Sequence, residues 1–109
     1  MTISFDDFEK VDMRIARIVK VDDSLARKST YRFTLDFGAE LGIKVSCAAL
    51  TNYTKEELLG QLVVAVVNFP PKKMGPEKSE VLILGVPGKD GTVIRLQPER
   101  EVEPGVRVF

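Results

Sequence analysis

Tyr31-Arg32-Phe33-Thr34-Leu35-Asp36-Phe37, followed by Gly38-Ala39-Glu40-Leu41-Gly42 and then Ile43-Lys44-Val45-Ser46-Cys47-Ala48, is the stretch from which the fold is read. Residues 31–37 alternate without a fault: Tyr31, Phe33, Leu35 and Phe37 point one way, and Arg32, Thr34 and Asp36 the other. A period of two is the signature of a strand with one buried face. Residues 43–48 alternate again, with Ile43, Val45 and Cys47 expected inward and Lys44, Ser46 and Ala48 outward. Two such strands joined by a short glycine-containing turn form a hairpin. On this phase Arg32, Lys44 and Ser46 share the hairpin's open face, and Cys47 is inert packing rather than a reactive thiol.

Upstream, residues 13–22 read as a long strand whose apolar members are Ile15, Ile18, Val19 and Val21. The step from Ile15 to Ile18 breaks alternation, and a bulge or bend between them places both inside. The polar stretch 23–30, with Arg27 and Lys28, is a loop. Further upstream, Ser4 caps a single helical turn with Asp7 three residues on and Phe5 and Phe8 on one side. Downstream, Thr54-Lys55-Glu56-Glu57 is a capping box, Leu58 and Leu59 follow it, and Gly60 ends the helix. Leu62 to Val67 is apolar on both faces, as a central strand is. Residues 68–76 hold three prolines and two adjacent lysines and read as a loop. Strands are expected over 81–86 and 93–97 around an Asp90-Gly91 turn, with a last short strand over 106–109.

The order is three strands, a short helix, two more strands and a β tail. That describes an all-β, five-stranded Greek-key barrel of the OB type, with a long bent first strand, a helix between strands 3 and 4, and short extensions at both ends. An SH3-like barrel lacks that helix, and a ferredoxin-like fold needs two long ones. The whole chain, 1–109, is expected to be one domain, with a core of about 8–98 and extensions over 1–10 and 99–109.

Composition narrows the function. Sixteen basic residues balance sixteen acidic ones, and there is no histidine, no tryptophan and one cysteine. Lack of histidine removes the usual general base and the commonest metal ligand. No phosphate-cradling glycine loop is present, since Gly85-Val86-Pro87-Gly88 has neither the lysine nor the following helix. The acidic clusters Asp22-Asp23, Glu56-Glu57 and Glu99/Glu101/Glu103 fall in loops or helix ends, where charges are solvated or capping. A non-catalytic protein without cofactor or metal is expected. No apolar run nears the roughly 18 residues of a membrane span. The first residues lack a signal peptide's basic start and apolar stretch, and a single cysteine fits a reducing compartment. These features read as cytoplasmic, without membrane insertion.

Zero net charge argues against nucleic-acid binding by the whole surface, but the charge is uneven. Residues 1–23 hold four basic against six acidic groups, and residues 24–48 four against two. Residues 68–80 hold Lys72, Lys73 and Lys78 against Glu77 and Glu80. In OB proteins the face of strands 2 and 3 with its flanking loops binds oligonucleotides, and lysines there neutralise phosphates. Exposed aromatics for base stacking are scarce, with only Tyr53 and Phe69 placed for it.

Val67-Asn68-Phe69-Pro70-Pro71-Lys72-Lys73-Met74 and Ser79-Glu80-Val81-Leu82-Ile83-Leu84-Gly85, with Phe8 to Arg14, Leu35 to Gly38, Gly42 to Ser46 and Leu96-Gln97-Pro98, carry a resemblance over nearly the whole chain. The sequence resembles the tRNA-binding OB module that is appended to methionyl- and phenylalanyl-tRNA synthetases and occurs in free-standing tRNA-binding proteins. Within that superfamily it is most similar to a branch of stand-alone, export-related chaperones. The resemblance implies tRNA-binding candidates Ser46, Asn68, Lys72, Lys73, Met74 and Ser79, to which the open face of the hairpin adds Arg32 and Lys44 and the basic segment adds Lys78. It also implies a homodimer whose interface draws on Phe5, Phe8, Val106, Val108 and Phe109. For the chaperone branch it implies binding of unfolded or precursor polypeptides, with Phe69, Pro70 and Met74 as candidate lining residues, and a tie to export machinery. Glu80-Val81 stands where the synthetase-linked modules have a glycine-methionine pair, and Cys47-Ala48 replaces their glycine-containing step. Both departures favour the chaperone branch. The alternative is a structure-specific tRNA binder acting as a dimer.

Overall fold

Alternating apolar residues drive the central sheet. The computed structural model describes residues 1–26 and 28–109, so Arg27 lies outside the described residues. Helix α1 (Phe5–Glu9) leads into β1 (Met13–Asp23), β2 (Tyr31–Asp36), helical turn α2 (Gly38–Leu41), β3 (Ile43–Ala48), helix α3 (Lys55–Leu58) and β4 (Leu62–Val66). Short strands follow: β5 (Lys72–Met74), β6 (Glu77–Ser79), β7 (Leu82–Ile83), β8 (Gly85–Pro87) and β9 (Val93–Arg95). The main sheet has the order β3-β2-β1-β4-β7, all pairs antiparallel. It curls until β3 meets the chain entering β7: Glu80 donates its amide to the Val45 carbonyl at 2.8 Å. The result is a nearly closed five-stranded OB barrel with its helix after strand three. No helix is long and apolar enough to cross a membrane among the described residues.

Strand β1 serves two partners. Its first half pairs with β4 and its second with β2, and Arg17 lies opposite both Leu62 and Asp36. The register slips between Ile18 and Lys20, so Val19 is the bulged residue. Both Ile15 and Ile18 are buried as expected, but the bulge falls after Ile18 rather than between the two. There it marks the bend where β1 leaves one partner for the other. The core is Ala16 and Ile18 from β1, Phe33 and Leu35 from β2, Val63 and Ala65 from β4, and Phe37, Leu50, Leu58, Val81 and Ile83.

Both capping boxes form. Ser4 and Asp7 exchange backbone and side-chain bonds at α1, and Thr54 and Glu57 do so at α3. Leu58 is driven fully into the core, which anchors α3 over the barrel end. Helix α1 buries no residue of its own.

Other elements differ from expectation. The Gly38–Gly42 connection is a helical turn closed by Gly42 donating to the Gly38 carbonyl at 2.8 Å. Residues 68–76, expected as a loop, contribute β5 of a β5–β6 ribbon turned at Gly75 and Pro76. The strand expected over 81–86 is split into β7, on the main sheet, and β8, which pairs with β9. The C-terminal tail is no regular strand. It lies along β1 through an Arg14–Arg107 bridge, with Val108 donating to the Met13 carbonyl at 2.8 Å.

Candidate functional site

Register decides what the open face of the hairpin presents. Arg32 lies opposite Cys47, Thr34 opposite Val45, Phe33 opposite Ser46, and Leu35 opposite Lys44. Arg32 therefore shares a face with Val45 and Cys47, and the grouping of Arg32 with Lys44 and Ser46 is corrected. Ser46 is 1% exposed and donates its hydroxyl to the Val81 carbonyl at 2.8 Å. The phase inverts because β3 is covered on both sides. A small residue must face the core opposite the bulky Phe33, while Val45 and Cys47 are half-covered by the chain from Glu77 to Val81.

That chain builds a cleft of about 340 Å³ lined by Cys47, Phe69, Pro70, Met74, Val81 and Leu82 together with Lys72, Ser79 and Glu80. Phe69 is 53% exposed and Leu82 is exposed beside it. The cleft thus brings together the peptide-lining candidates Phe69, Pro70 and Met74 and adds Cys47, Val81 and Leu82, which sequence reasoning missed. The missed signal is the wrong phase of β3: on the right one, Cys47 points out of the core. Burial pushes the Cys47 thiol up, and the Glu77 charge adds to that, so it stays protonated and inert.

One wall of the cleft is the β5–β6 ribbon, through Lys72, Met74 and Ser79. Lys72, Lys73 and Lys78 are exposed on it, and none forms an ion pair among the described residues. Lys73 lies directly opposite Lys78, and like charges facing across a strand pair repel.

The ribbon is fastened at both ends. At its base, Cys47 donates its amide to the Ser79 hydroxyl at 3.1 Å, and Val45 donates its own to Glu80 Oε1 at 3.0 Å. Glu80 thereby caps the edge of β3, which would otherwise offer free backbone groups. At its far end, Glu77 sits with its side chain 7% exposed. Oε1 accepts from Ser24 Oγ at 2.8 Å, from the Ala26 amide at 3.1 Å and from the Leu25 amide. Arg32 Nε approaches Oε2 at 3.4 Å. Burial pushes this carboxyl up, but the bonds from Ser24, Leu25 and Ala26 with the Arg32 charge outweigh it, so it is held below the ordinary glutamate value.

The remaining candidates are placed as follows. Asn68 is spent on the backbone, accepting from the Asp12 amide at 3.0 Å and donating to the Lys10 carbonyl at 2.6 Å. Lys44 stands apart from the ribbon lysines on the core-side phase of β3. Tyr53 packs against the core, with the Arg95 guanidinium 5.7 Å from its ring centre, so it anchors a loop. Phe5, Val106 and Phe109 are exposed and Phe8 and Val108 half-buried. Among the described residues, no three His, Cys, Asp or Glu side chains are grouped to hold a metal ion.

An OB barrel with an apolar cleft walled by a lysine-bearing ribbon defines a binding module. The chain belongs to the tRNA-binding domain family: residues 13–107 match the family described as "Putative tRNA binding domain". It is 40% identical to the chaperone CsaA of Bacillus anthracis strain Ames, with a TM-score of 0.92 and full coverage of both chains. It is 42% identical to the CsaA chaperone protein of Picrophilus torridus, again at a TM-score of 0.92, covering 99% of this chain and 100% of that one. It is also 42% identical over 106 residues to the methionine–tRNA ligase of Archaeoglobus fulgidus, covering 97% of this chain but 16% of the ligase. The chain therefore spans only a small part of such curated relatives, and the stand-alone chaperones that the sequence resembles are those of the CsaA kind.

Proposed function

We propose that this protein is a non-catalytic, homodimeric chaperone of the CsaA kind, binding extended apolar segments of unfolded or export-bound polypeptides. The observation that carries this reading is the cleft itself. On a barrel with 29% charged residues, a 340 Å³ recess lined by Phe69, Pro70, Met74, Val81 and Leu82 is open to solvent. Apolar side chains entering it gain on the order of 25 cal/mol per Å² removed from water. Phe69 and Met74 suit varied clients, since a thioether adapts its shape and an aromatic ring supplies a large contact area. End-to-end similarity to CsaA chaperones supports the same reading.

Dimerisation through the two extensions fits their exposed apolar residues. Phe5 is 72% exposed in this chain, and a five-residue helix is marginal without a surface to dock on. A second copy covering Phe5, Phe8, Val106, Val108 and Phe109 supplies that surface.

The test is suppression of aggregation of a chemically unfolded client. The wild type is expected to protect it, and Phe69→Ala to lose most of that protection while sedimenting as the wild type does. Full protection by the variant excludes the cleft as the client site.

A second reading, structure-specific tRNA binding, is favoured by the lysines of the ribbon. Facing like charges that form no ion pair among the described residues are relieved by an external polyanion, and phosphate contacts rather than base readout dominate such binding. Two ribbons related by a two-fold axis would engage one tRNA together.

A further inference from the structure

We propose that Glu77 is the positioning residue of the cleft: its buried carboxylate ties the free end of the β5–β6 ribbon to the β1–β2 loop and to β2, and so sets where the wall bearing Met74 and Lys72 stands. This rests on the polypeptide-binding reading of the cleft.

Met74 and Glu77 are register partners across the ribbon, so moving one moves the other. The ribbon's base is held independently by Ser79 and Glu80 against β3. Apart from the bonds to Glu77, its far end makes no main-chain bond to the barrel among the described residues. There Glu77 gathers the Ser24 hydroxyl and the Leu25 and Ala26 amides from the loop, Arg32 from β2, and the Cys47 thiol at 3.9 Å. The Gly75 turn and Ala26 are neighbours, since a Cβ built on Gly75 would stand 3.7 Å from Ala26.

A buried carboxylate is costly to desolvate, and packing alone does not call for it. What it provides is direction, because acceptor-only oxygens can be met by several donors from different elements at once. Glutamine keeps the volume and one oxygen for the Ser24, Leu25 and Ala26 donors, but it loses the charge and turns an amide donor toward Arg32 and Cys47, so the fastening is weakened. Aspartate keeps the charge one methylene short.

The test uses the full chain as wild type, Glu77→Gln and Glu77→Asp, with an extended apolar decapeptide as the probe and amide hydrogen exchange read alongside. In Glu77→Gln, exchange is expected to rise over 24–26 and 72–79 while 13–18, 31–36 and 62–66 keep their protection. Peptide affinity is expected to fall about tenfold, and Glu77→Asp to recover much of it. Unchanged affinity with unchanged ribbon exchange in Glu77→Gln overturns the proposal, as does loss of protection across the whole barrel, which marks Glu77 as a general stabiliser. If Glu77→Gln is too unstable to assay, Glu77→Asp decides, with a raised ribbon exchange supporting the proposal and a wild-type pattern opposing it. If the wild type binds no peptide, the polypeptide reading fails, and the exchange pattern still decides what Glu77 fastens.

Discussion

Ser46 sits opposite Phe33 with its hydroxyl on the Val81 carbonyl, joining β3 to the chain entering β7 where the barrel closes. Ser46→Ala removes one buried hydrogen bond, and the Val81 carbonyl keeps a second donor, Ser79 Oγ at 3.1 Å. A destabilisation of about 1 kcal/mol is therefore expected, with client and tRNA affinities unchanged. Denaturant melts and a titration check it, and a binding loss without a stability loss would return Ser46 to the ligand site. Glu80 makes the same point from an acidic residue. Beside lysines it reads as a weakening of phosphate attraction, yet its carboxylate is occupied by the Val45 amide. Neither role is legible from composition, because both depend on which backbone group stands opposite. Glu77 was visible only as one of two acids set against three lysines, and nothing in the sequence names Ser24 or Arg32 as its partners.

At the scale of elements, the C-terminal extension is clasped to the start of β1 by one carboxylate. Asp12 accepts from Arg14 Nε at 2.6 Å and pairs with Arg107 at 3.5 Å, and Arg14 also donates to the Gly105 carbonyl at 3.0 Å. The bond from Arg14 holds Asp12 below its ordinary value of 3.8, with the Arg14 and Arg107 charges adding to it against burial. A carboxyl lowered on folding stabilises fully above its unfolded value and loses that contribution as pH falls through the folded one. The tail is thus expected to stay docked at pH 5–8 and to loosen below about pH 4, and Asp12→Asn to loosen it at pH 7. Amide exchange at Val106 and Val108 reads this directly, and an unchanged tail in the variant would remove Asp12 as its clasp. The ribbon gives the element-scale prediction for the tRNA reading. A Lys72/Lys73 double alanine should weaken tRNA binding and flatten its salt slope by about two, whereas an unchanged slope removes those lysines from the site. Elements with local signals were legible. The alternation from Tyr31 to Phe37 and the capping pairs Ser4/Asp7 and Thr54/Glu57 need only neighbours in sequence. The ribbon was hidden because Pro70, Pro71 and Pro76 mask a three-residue strand pair, and the phase of β3 because its larger apolar residues, Val45 and Cys47, face the chain from Glu77 to Val81 rather than the core.

At the scale of the molecule, the barrel order was readable because the helix after the third strand sits where only one small β-barrel places it. The cleft was readable only in part: Phe69, Pro70 and Met74 share one segment, whereas Cys47, Val81 and Leu82 reach it through barrel closure. A near-neutral whole with a local lysine ribbon and an apolar recess is consistent with a binder whose ligand contacts a small area of each subunit. In the dimer proposed above, two copies would supply the extent that one lacks. The central claim is that extended apolar polypeptide occupies the cleft, and mapping amide shifts of the labelled wild-type protein on titration with such a peptide tests it most directly. Saturable shifts centred on Cys47, Phe69, Met74 and Leu82 are predicted. Shifts confined to other surfaces, or none at millimolar peptide, would contradict it.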